Sequence, residues 1–167
     1  MARVRNVHER SLPAMPKEVG ALLDGLASDH DRLWPGDKWW PQRFDGGLVV
    51  GAKGGHGPIR YKVESYEPGV RVVCRFPPKG GFDGTHTFEV MPADNGTTVL
   101  RHSLEVRTYG RGVFLWPLIR PLHDALVEDA LDNAERAVTG KVVEPARYSA
   151  YVGFARRFVR GTGHPAP

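Results

Sequence analysis

The stretch RPLHDALVEDALDNAERAV, residues 120–138, decides the fold class of this 167-residue chain. Apolar residues recur in it every three or four positions, and the same spacing continues back toward residue 113. This period is typical of an amphipathic helix, and it predicts one long helix over residues 113–138. The apolar stripe of that helix consists of Leu115, Ile119, Leu122, Leu126, Ala130 and Ala134.

The polar residues of this helix are placed by their angular position. At about 100° per residue, His123 falls inside the apolar stripe. The acidic residues fall on the other side of the helix, at Asp124, Glu128, Asp132 and Glu135. Pro117 and Pro121 predict a kink or a separate first turn, because proline lacks the N–H that a helix interior uses.

The residues before this helix predict an antiparallel sheet. A strand at residues 4–12 is followed by a short helix that starts near Pro16, and residues 28–45 form a loop that contains Trp34, Trp39 and Trp40. The remaining predicted strands cover residues 48–51, 59–67, 70–76, 85–91 and 97–107. Turns rich in Gly and Pro join them, so the sheet is expected to be antiparallel.

The EPGV turn at residues 67–70 sets the register of one predicted hairpin. If Glu67 faces Val70, one face of the hairpin is almost wholly apolar, with Tyr61, Val63, Cys74 and Phe76. The other face carries Arg60, Lys62, Glu64, Arg71 and Arg75. Such a division predicts one buried and one exposed face.

A second predicted hairpin turns at PADNG, residues 92–96. If Met91 faces Thr97, then Phe88 faces Leu100 and His86 faces His102, which puts both histidines on the apolar face. That face continues through Leu104 and Val106.

Composition excludes several classes of protein. The apolar runs are too short to span a membrane, the N-terminus has charges where a secretory signal needs apolar residues, and Cys74 is the only cysteine. Residues 1–144 carry equal numbers of acidic and basic side chains, so the net charge of +4 resides in four arginines of the tail. Because residues 1–144 have no net charge, their composition does not indicate the basic surface that nucleic-acid binding requires. We therefore expect a soluble, cytoplasmic protein.

The order of these elements resembles the helix-grip fold of the SRPBCC superfamily, which includes START-like lipid carriers, birch-pollen-allergen relatives and polyketide cyclase or dehydrase-like proteins. GAKGGHGPIRYKV, residues 51–63, resembles the Gly-rich loop of the pollen-allergen relatives, and residues 120–138 resemble the closing helix. The resemblance covers residues 1–140 and implies an α+β fold in which a curved antiparallel sheet wraps around the long helix and leaves an internal cavity. It also implies that the first strand pairs with the last, which brings His8 or its neighbours beside His102.

The resemblance further implies that the apolar faces line a ligand site. The expected ligand-binding residues are Trp39, Trp40, Tyr61, Val63, Cys74, Phe76, His86, Phe88, Leu100, His102, Leu104, Leu115, Ile119 and His123. The tryptophans of the loop, with Trp116, either gate this site or simply pack the loop. The Gly-rich stretch is expected to be a flexible hairpin at the cavity mouth, because it matches neither common phosphate-binding motif.

The histidines are the candidate catalytic residues. Hairpin register turns His86 and His102 inward, helix phase does the same for His123, and His8 joins them if its strand presents alternate residues to the core. Imidazoles at a cavity contact a polar ligand group or transfer protons, or else they satisfy one another, a backbone carbonyl or a buried water. The spacing of the histidines matches no common metal motif, so neither a metal site nor a cofactor is expected.

Two functions of different classes follow from these residues. The first is binding of a small hydrophobic ligand, aromatic or polycyclic and polyketide- or lipid-like. The alternative is a cofactor-independent cyclase or dehydratase that uses the cavity histidines as acid and base. The basic amphipathic tail at residues 141–167 is expected to be helical from Arg147 to Arg160 and to dock on its own domain or on a second copy in a homodimer.

Overall fold

The structure, a computed structural model, describes residues 1–78 and 80–161 and gives only the backbone for residues 160 and 161. The strands are β1 (Ala2–Leu12), β2 (Gln42–Phe44), β3 (Lys53–His56), β4 (Ile59–Glu67), β5 (Arg71–Arg75), β6 (Phe82–Pro92) and β7 (Thr98–Thr108). The helices are α1 (Pro16–Asp24), α2 (Gly112–Thr139) and α3 (Ala150–Gly161), with a short 3-10 turn at Asp94–Gly96.

The strands described form one antiparallel sheet in the order β1-β7-β6-β5-β4-β3-β2. Helix α2 packs across β1 and β7, and α1 packs against β6. The core lies between the sheet and these helices, where Leu23, Leu100 and Leu131 have no exposed surface. The predicted helix-grip fold, a curved antiparallel sheet around a long helix, is therefore confirmed.

The observed bounds of helix α2, Gly112–Thr139, differ by one residue at each end from the range that its apolar period predicts, 113–138. The helix is continuous, with Pro117 and Pro121 inside its first half, so the expected separate first turn is not formed. It ends because Gly140 adopts a φ of 79°, a left-handed conformation that favours glycine.

The register of the hairpin formed by β6 and β7 differs from the prediction by two residues. Phe88 faces His102 and His86 faces Leu104, because β6 continues through Pro92 and the turn is made by the next residues. A shift of two residues keeps every side chain on its predicted face of the sheet. His86 and His102 therefore still point to the same side.

The register of the hairpin formed by β4 and β5 is confirmed at Val63 and Cys74, which face each other. Nearer the turn, Glu67 pairs with Arg71 and not with Val70, and an irregularity between Val63 and Ser65 absorbs the difference. Bulges of this kind are local and leave the outer part of the strand pair in place.

Part of the Gly-rich stretch forms a strand, which corrects both the flexible hairpin expected there and the strand expected at residues 48–51. Residues 48–51 form turns, whereas Lys53–His56 pair with β4 on one side and with β2 on the other. Pairing on both sides supplies the backbone hydrogen bonds that glycine's low strand propensity would not favour alone. The tight turn that follows requires Gly57, whose φ is 49° and which lies directly under the Trp40 ring.

The tail folds back along α2. Val152 and Val159 of α3 are buried with the core residues, and Tyr148 packs against them. Helix α3 begins three residues later than the helix expected from Arg147, and residues 162–167 of the predicted tail lie outside the described residues. None of the helices described is long and apolar enough to cross a membrane.

Candidate functional site

The inner face of the sheet collects most of the residues that the sequence singled out. Nine of them are buried: Trp39, Tyr61, Val63, Cys74, His86, Phe88, Leu100, His102 and Leu104. Trp40, Phe76, Ile119 and His123 are partly exposed, and Leu115 is 37% exposed in the first turn of α2. Leu115 is thus the one expected ligand-binding residue whose side chain is exposed.

Five histidines and one tyrosine form a continuous array through this interior, which we call the histidine cluster. Its members in spatial order are His56, Tyr61, His86, His102, His123 and His8. Neighbouring ring centroids are 4.5 Å apart for Tyr61 and His86, 5.8 Å for His86 and His102, and 5.2 Å for His102 and His123. The array therefore connects the β3–β4 hairpin with helix α2.

Strand register explains how the cluster assembles. His8 and His102 are cross-strand partners in β1 and β7, as the family resemblance implies. The phase of α2 turns His123 toward them. The sequence pattern does not indicate His56, because its Gly-rich stretch predicts a flexible hairpin. In the structure His56 is the last residue of β3, and its ring packs beside Tyr61.

Aromatic rings complete the wall around the cluster. Phe88 contacts His102 with ring centroids 4.7 Å apart, and Phe76 contacts His86 at 5.4 Å. Trp116 packs 6.0 Å from His123, and Trp34 lies 4.9 Å from His56. The imidazoles are therefore set in a largely apolar environment.

That environment keeps the central imidazoles neutral. Burial lowers the pKa of His56 and of His86 to about 3, and nearby positive charge adds to the effect. Burial also lowers the pKa of His102 well below its ordinary value, and it lowers that of His123 against the opposing effect of Asp124. At neutral pH each of these rings can donate one hydrogen bond and accept another.

Several polar atoms of the cluster lack a hydrogen-bond partner among the described residues. They are Nε2 of His86, Nδ1 of His102 and Nδ1 of His123, together with Oε1 of the adjacent Gln42. Buried polar atoms are almost always paired in folded proteins. Three such imidazole nitrogens in one cluster are therefore free to pair with a polar group.

The two ends of the cluster are hydrogen-bonded. At one end, the Gln42 amide donates to the Tyr61 hydroxyl over 2.7 Å, and Nδ1 of His56 lies 3.1 Å from the same hydroxyl. At the other end, His8 Nδ1 donates to Glu128 Oε1 over 2.6 Å. This bond, opposed by burial and supported by Asp124, raises the pKa of His8.

A cavity of about 830 Å³ opens beside the β3–β4 hairpin. His56, Tyr61 and Phe76 line it, and the latter two rings contact His86 directly. Glycines of the Gly-rich stretch also line it, but no residue of α2 does, so it is not the cavity between the sheet and the long helix that the resemblance implies. A second cavity, of about 570 Å³, lies between the aromatic loop and the end of α2, and no histidine lines it.

Arg10 does not join the histidine cluster. Its guanidinium contacts carboxylates of α2, with 2.5 Å to Glu135 and 3.0 Å to Asp132, and it also reaches Glu128. The acidic side of α2 is thus covered by β1 and by the tail. The sequence pattern places this side opposite the apolar stripe and does not indicate Arg10 as its partner, because Arg10 lies more than a hundred residues away.

The tryptophans of the aromatic loop have structural partners. The Trp39 indole donates to Asp129 over 2.8 Å, and the Trp34 indole donates to the Trp40 carbonyl over 2.9 Å. Asp129 was not singled out from the sequence. It has no exposed surface and also binds Lys38, at 2.6 Å, and the Tyr148 hydroxyl.

Solved structures with a similar fold come from several organisms. CalU16 from Micromonospora echinospora is 14% identical, with a TM-score of 0.58 over 95% of this chain and 91% of that one. Norcoclaurine synthase from Thalictrum flavum, solved with dopamine and hydroxybenzaldehyde, is 20% identical, with a TM-score of 0.59 over 78% and 84%. A protein from Thermobifida fusca is 17% identical, with a TM-score of 0.61 over 89% and 100%. At these identities the similarity shows the fold alone.

Sequence comparison gives the family. Comparison with curated protein sequences yields no match. The model of the family described as polyketide cyclase/dehydrase and lipid transport matches residues 10–139, from the end of β1 to the last residue of α2. This match covers most of the chain, including every member of the histidine cluster except His8. The chain therefore belongs to the polyketide cyclase/dehydrase and lipid transport family of the SRPBCC superfamily.

Proposed function

We propose that the protein binds a small hydrophobic molecule whose polar group contacts the imidazoles of the histidine cluster. The observation that supports this function best is the set of unpartnered nitrogens on His86, His102 and His123. Neutral imidazole suits a ligand hydroxyl or carbonyl, because it offers a donor and an acceptor on one ring. The aromatic walls suit a flat, aromatic or polycyclic body.

The basic residues around the cavity add a further feature of the proposed ligand. Arg43, Lys53, Arg60, Lys62 and Arg75 line it, together with His56, and its lining contains neither Asp nor Glu. Lys53 faces Lys62 on the adjacent strand, whereas Arg75, which also faces Lys62, is ion-paired with Glu64. Like charges placed directly opposite each other are unfavourable in a sheet, so this arrangement favours an anionic partner. We infer that the ligand carries an acidic group as well as an apolar body.

The second candidate function is proton-transfer catalysis of the cyclase or dehydratase type. It is favoured by the position of several imidazoles in one interior, whereas their lowered pKa values make His86 and His102 weak bases at neutral pH. A cyclase or dehydratase also needs a group that stabilises an enolate, and the guanidinium of Arg10 is instead ion-paired with Asp132 and Glu135 of α2. Binding without turnover is therefore the function that we place first.

The first experiment identifies the ligand. Native mass spectrometry of the protein purified from its own host is expected to show a retained small molecule, which is then identified and used in titrations. The variants His86→Ala and His102→Ala should each weaken its binding by about 1–3 kcal/mol. The matched control is His30→Ala, because His30 is exposed in a loop.

The outcome separates the two candidate functions. Weaker binding with no product formed supports the binding function, whereas lost turnover at nearly unchanged affinity supports catalysis. Unchanged affinity and unchanged turnover in both cluster variants would contradict both candidates.

A further inference from the structure

We propose that His8, His123 and Asp124 form a binding site for a divalent transition-metal ion at the α2 end of the histidine cluster. The site goes beyond the proposed function, because that function requires only the unpartnered imidazoles and no ion. It joins β1 to α2, and it supplies the cluster with a Lewis-acidic group.

The distances between the ligand atoms support this site. One ligand atom from each of the three residues lies within 4.8 Å of the others. His8 Nε2 is 3.2 Å from Asp124 Oδ1, and His123 Nδ1 is 3.7 Å from the same oxygen. Metal–ligand bonds of about 2.0–2.2 Å in tetrahedral geometry place ligand atoms roughly 3.3 Å apart. The three atoms therefore need only small side-chain movements to enclose an ion.

Neighbouring carboxylate and amide groups already orient two of the ligands. Glu128 accepts a hydrogen bond from His8 Nδ1 over 2.6 Å, which directs His8 Nε2 toward Asp124. The Asn6 amide nitrogen donates to Asp124 Oδ1 over 2.9 Å, and the Asn6 amide oxygen lies 3.0 Å from His8 Nε2, a contact that the ion would replace. Metal-binding histidines typically donate their second N–H to a carboxylate in this manner. Glu128 and Asn6 are thus the positioning residues of the proposed site.

An independent observation comes from the nitrogen of the third ligand. His123 Nδ1 is inaccessible to solvent and has no hydrogen-bond partner among the described residues, although the side chain as a whole is 19% exposed. A metal ion at the proposed position would satisfy this nitrogen. His102, whose Nδ1 is also unpartnered, packs against the His123 ring, so the cluster continues directly from the metal site.

The donor set indicates the class of metal. Two imidazole nitrogens and one carboxylate favour Zn²⁺, Co²⁺, Fe²⁺ or Ni²⁺ over Mg²⁺ and Ca²⁺, which prefer oxygen ligands. Three protein ligands leave at least one coordination position for water or for an oxygen of a bound molecule. We infer that the ion binds the polar group of a ligand held in the cluster.

The test is a metal titration of the full-length protein without an affinity tag. After removal of metal with a chelator, Zn²⁺ is titrated by calorimetry, and Co²⁺ is titrated by its visible absorption. We expect binding of about one ion per chain, with a Co²⁺ spectrum that shows nitrogen and oxygen ligands in a four- or five-coordinate site. Failure to bind either ion below millimolar concentration would overturn the proposal.

Variants separate this site from adventitious binding at surface histidines. His123→Gln and Asp124→Asn are expected to abolish the stoichiometric binding and the Co²⁺ spectrum, and Glu128→Gln should weaken the affinity about 10-fold. His30→Gln, the matched control at an exposed histidine, should leave both unchanged. The reverse pattern would show that the ion binds elsewhere. Circular dichroism checks the fold of each variant, and the titration of the unmodified protein decides the proposal even if one variant does not fold.

The proposed function and the metal site can fail separately. Retention of a small molecule by metal-free protein, together with no binding of Zn²⁺ or Co²⁺, would overturn the metal site alone. Stoichiometric metal binding without a small ligand would support the metal site and leave the hydrophobic ligand unsupported.

Discussion

At the scale of single residues, Asp129 connects three parts of the molecule. Its carboxylate is completely buried and binds Lys38 and Trp39 of the aromatic loop, and Tyr148 and Arg156 of the tail segment. A buried carboxylate is tolerated only when several donors surround it. Its position on α2 therefore determines where the loop and the tail lie.

Replacing Asp129 tests this role. Asp129→Ala should lower the free energy of unfolding by about 3 kcal/mol, because it leaves the Trp39 indole and two cationic groups without their acceptor. Urea denaturation monitored by Trp fluorescence measures the change. Asp37→Ala, in an exposed part of the same loop, is the control and should alter stability by less than about 0.5 kcal/mol. An equally small effect at Asp129 would show that its partners find other acceptors.

At the scale of secondary-structure elements, α3 covers the acidic side of α2. Val152 and Val159 are buried in this contact, and backbone N–H groups of the connecting segment donate to Glu135 over 3.0 Å and to Asp132 over 2.9 Å. The opposite face of α3 exposes Phe154 and Phe158. Only one side of this amphipathic helix thus contributes to the packing that the structure describes.

Deleting residues 141–167 tests the proposed domain boundary at residue 140. We expect residues 1–140 to keep a single cooperative unfolding transition, because they contain every strand of the sheet together with α1 and α2. Loss of the two buried valines and of the donors to the α2 carboxylates should lower stability by about 3 kcal/mol. A chain that shows no cooperative transition would place α3 inside the domain.

The matched variant for this deletion is Phe154→Ala/Phe158→Ala, which removes only exposed apolar surface. It should change stability by less than about 0.5 kcal/mol. A loss as large as that of the deletion would mean that the exposed face of α3 also packs against protein in solution.

At the scale of the whole molecule, the interior histidines couple folding to pH. The folded state holds His56 and His86 neutral, with pKa values of about 3 set mainly by burial. In the unfolded chain these imidazoles titrate near pH 6.5. The unfolded state therefore binds more protons than the folded state between about pH 6.5 and pH 3, and acid favours unfolding over this range.

The corresponding experiment compares stability at pH 7 and pH 5. Each depressed histidine contributes stability that is fully present above pH 6.5 and is lost as the pH falls toward about 3, so His86 alone should account for roughly 2 kcal/mol between the two pH values. Urea denaturation of the unmodified protein and of His86→Leu measures this contribution as the difference in their pH dependence, with His30→Leu as the control. Identical pH dependence in the unmodified protein and in His86→Leu would contradict it.

Local patterns were sufficient to predict the principal elements of the fold. The period of Leu122, Leu126 and Ala130 predicts α2 to within one residue at each end, and alternation in β4 to β7 predicts which side chains face inward. Both patterns arise between residues that are close in sequence, so they are visible without knowledge of the tertiary structure. The shift of two residues in the register of β6 and β7 leaves every side chain on its predicted face of the sheet, because the side-chain period of a strand is also two.

The arrangement at the ends of the histidine cluster depends on the tertiary structure. His8 and Asp124 are 116 residues apart in the sequence. Asp129 binds Lys38 and Trp39, which precede it by about 90 residues. A charged residue in a strand or on a helix face has the sequence pattern of a solvated one, and only docking of another element makes it a buried partner. His56 was missed for a related reason, since pairing with strands on both sides turns a glycine-rich stretch, which has little strand propensity of its own, into β3.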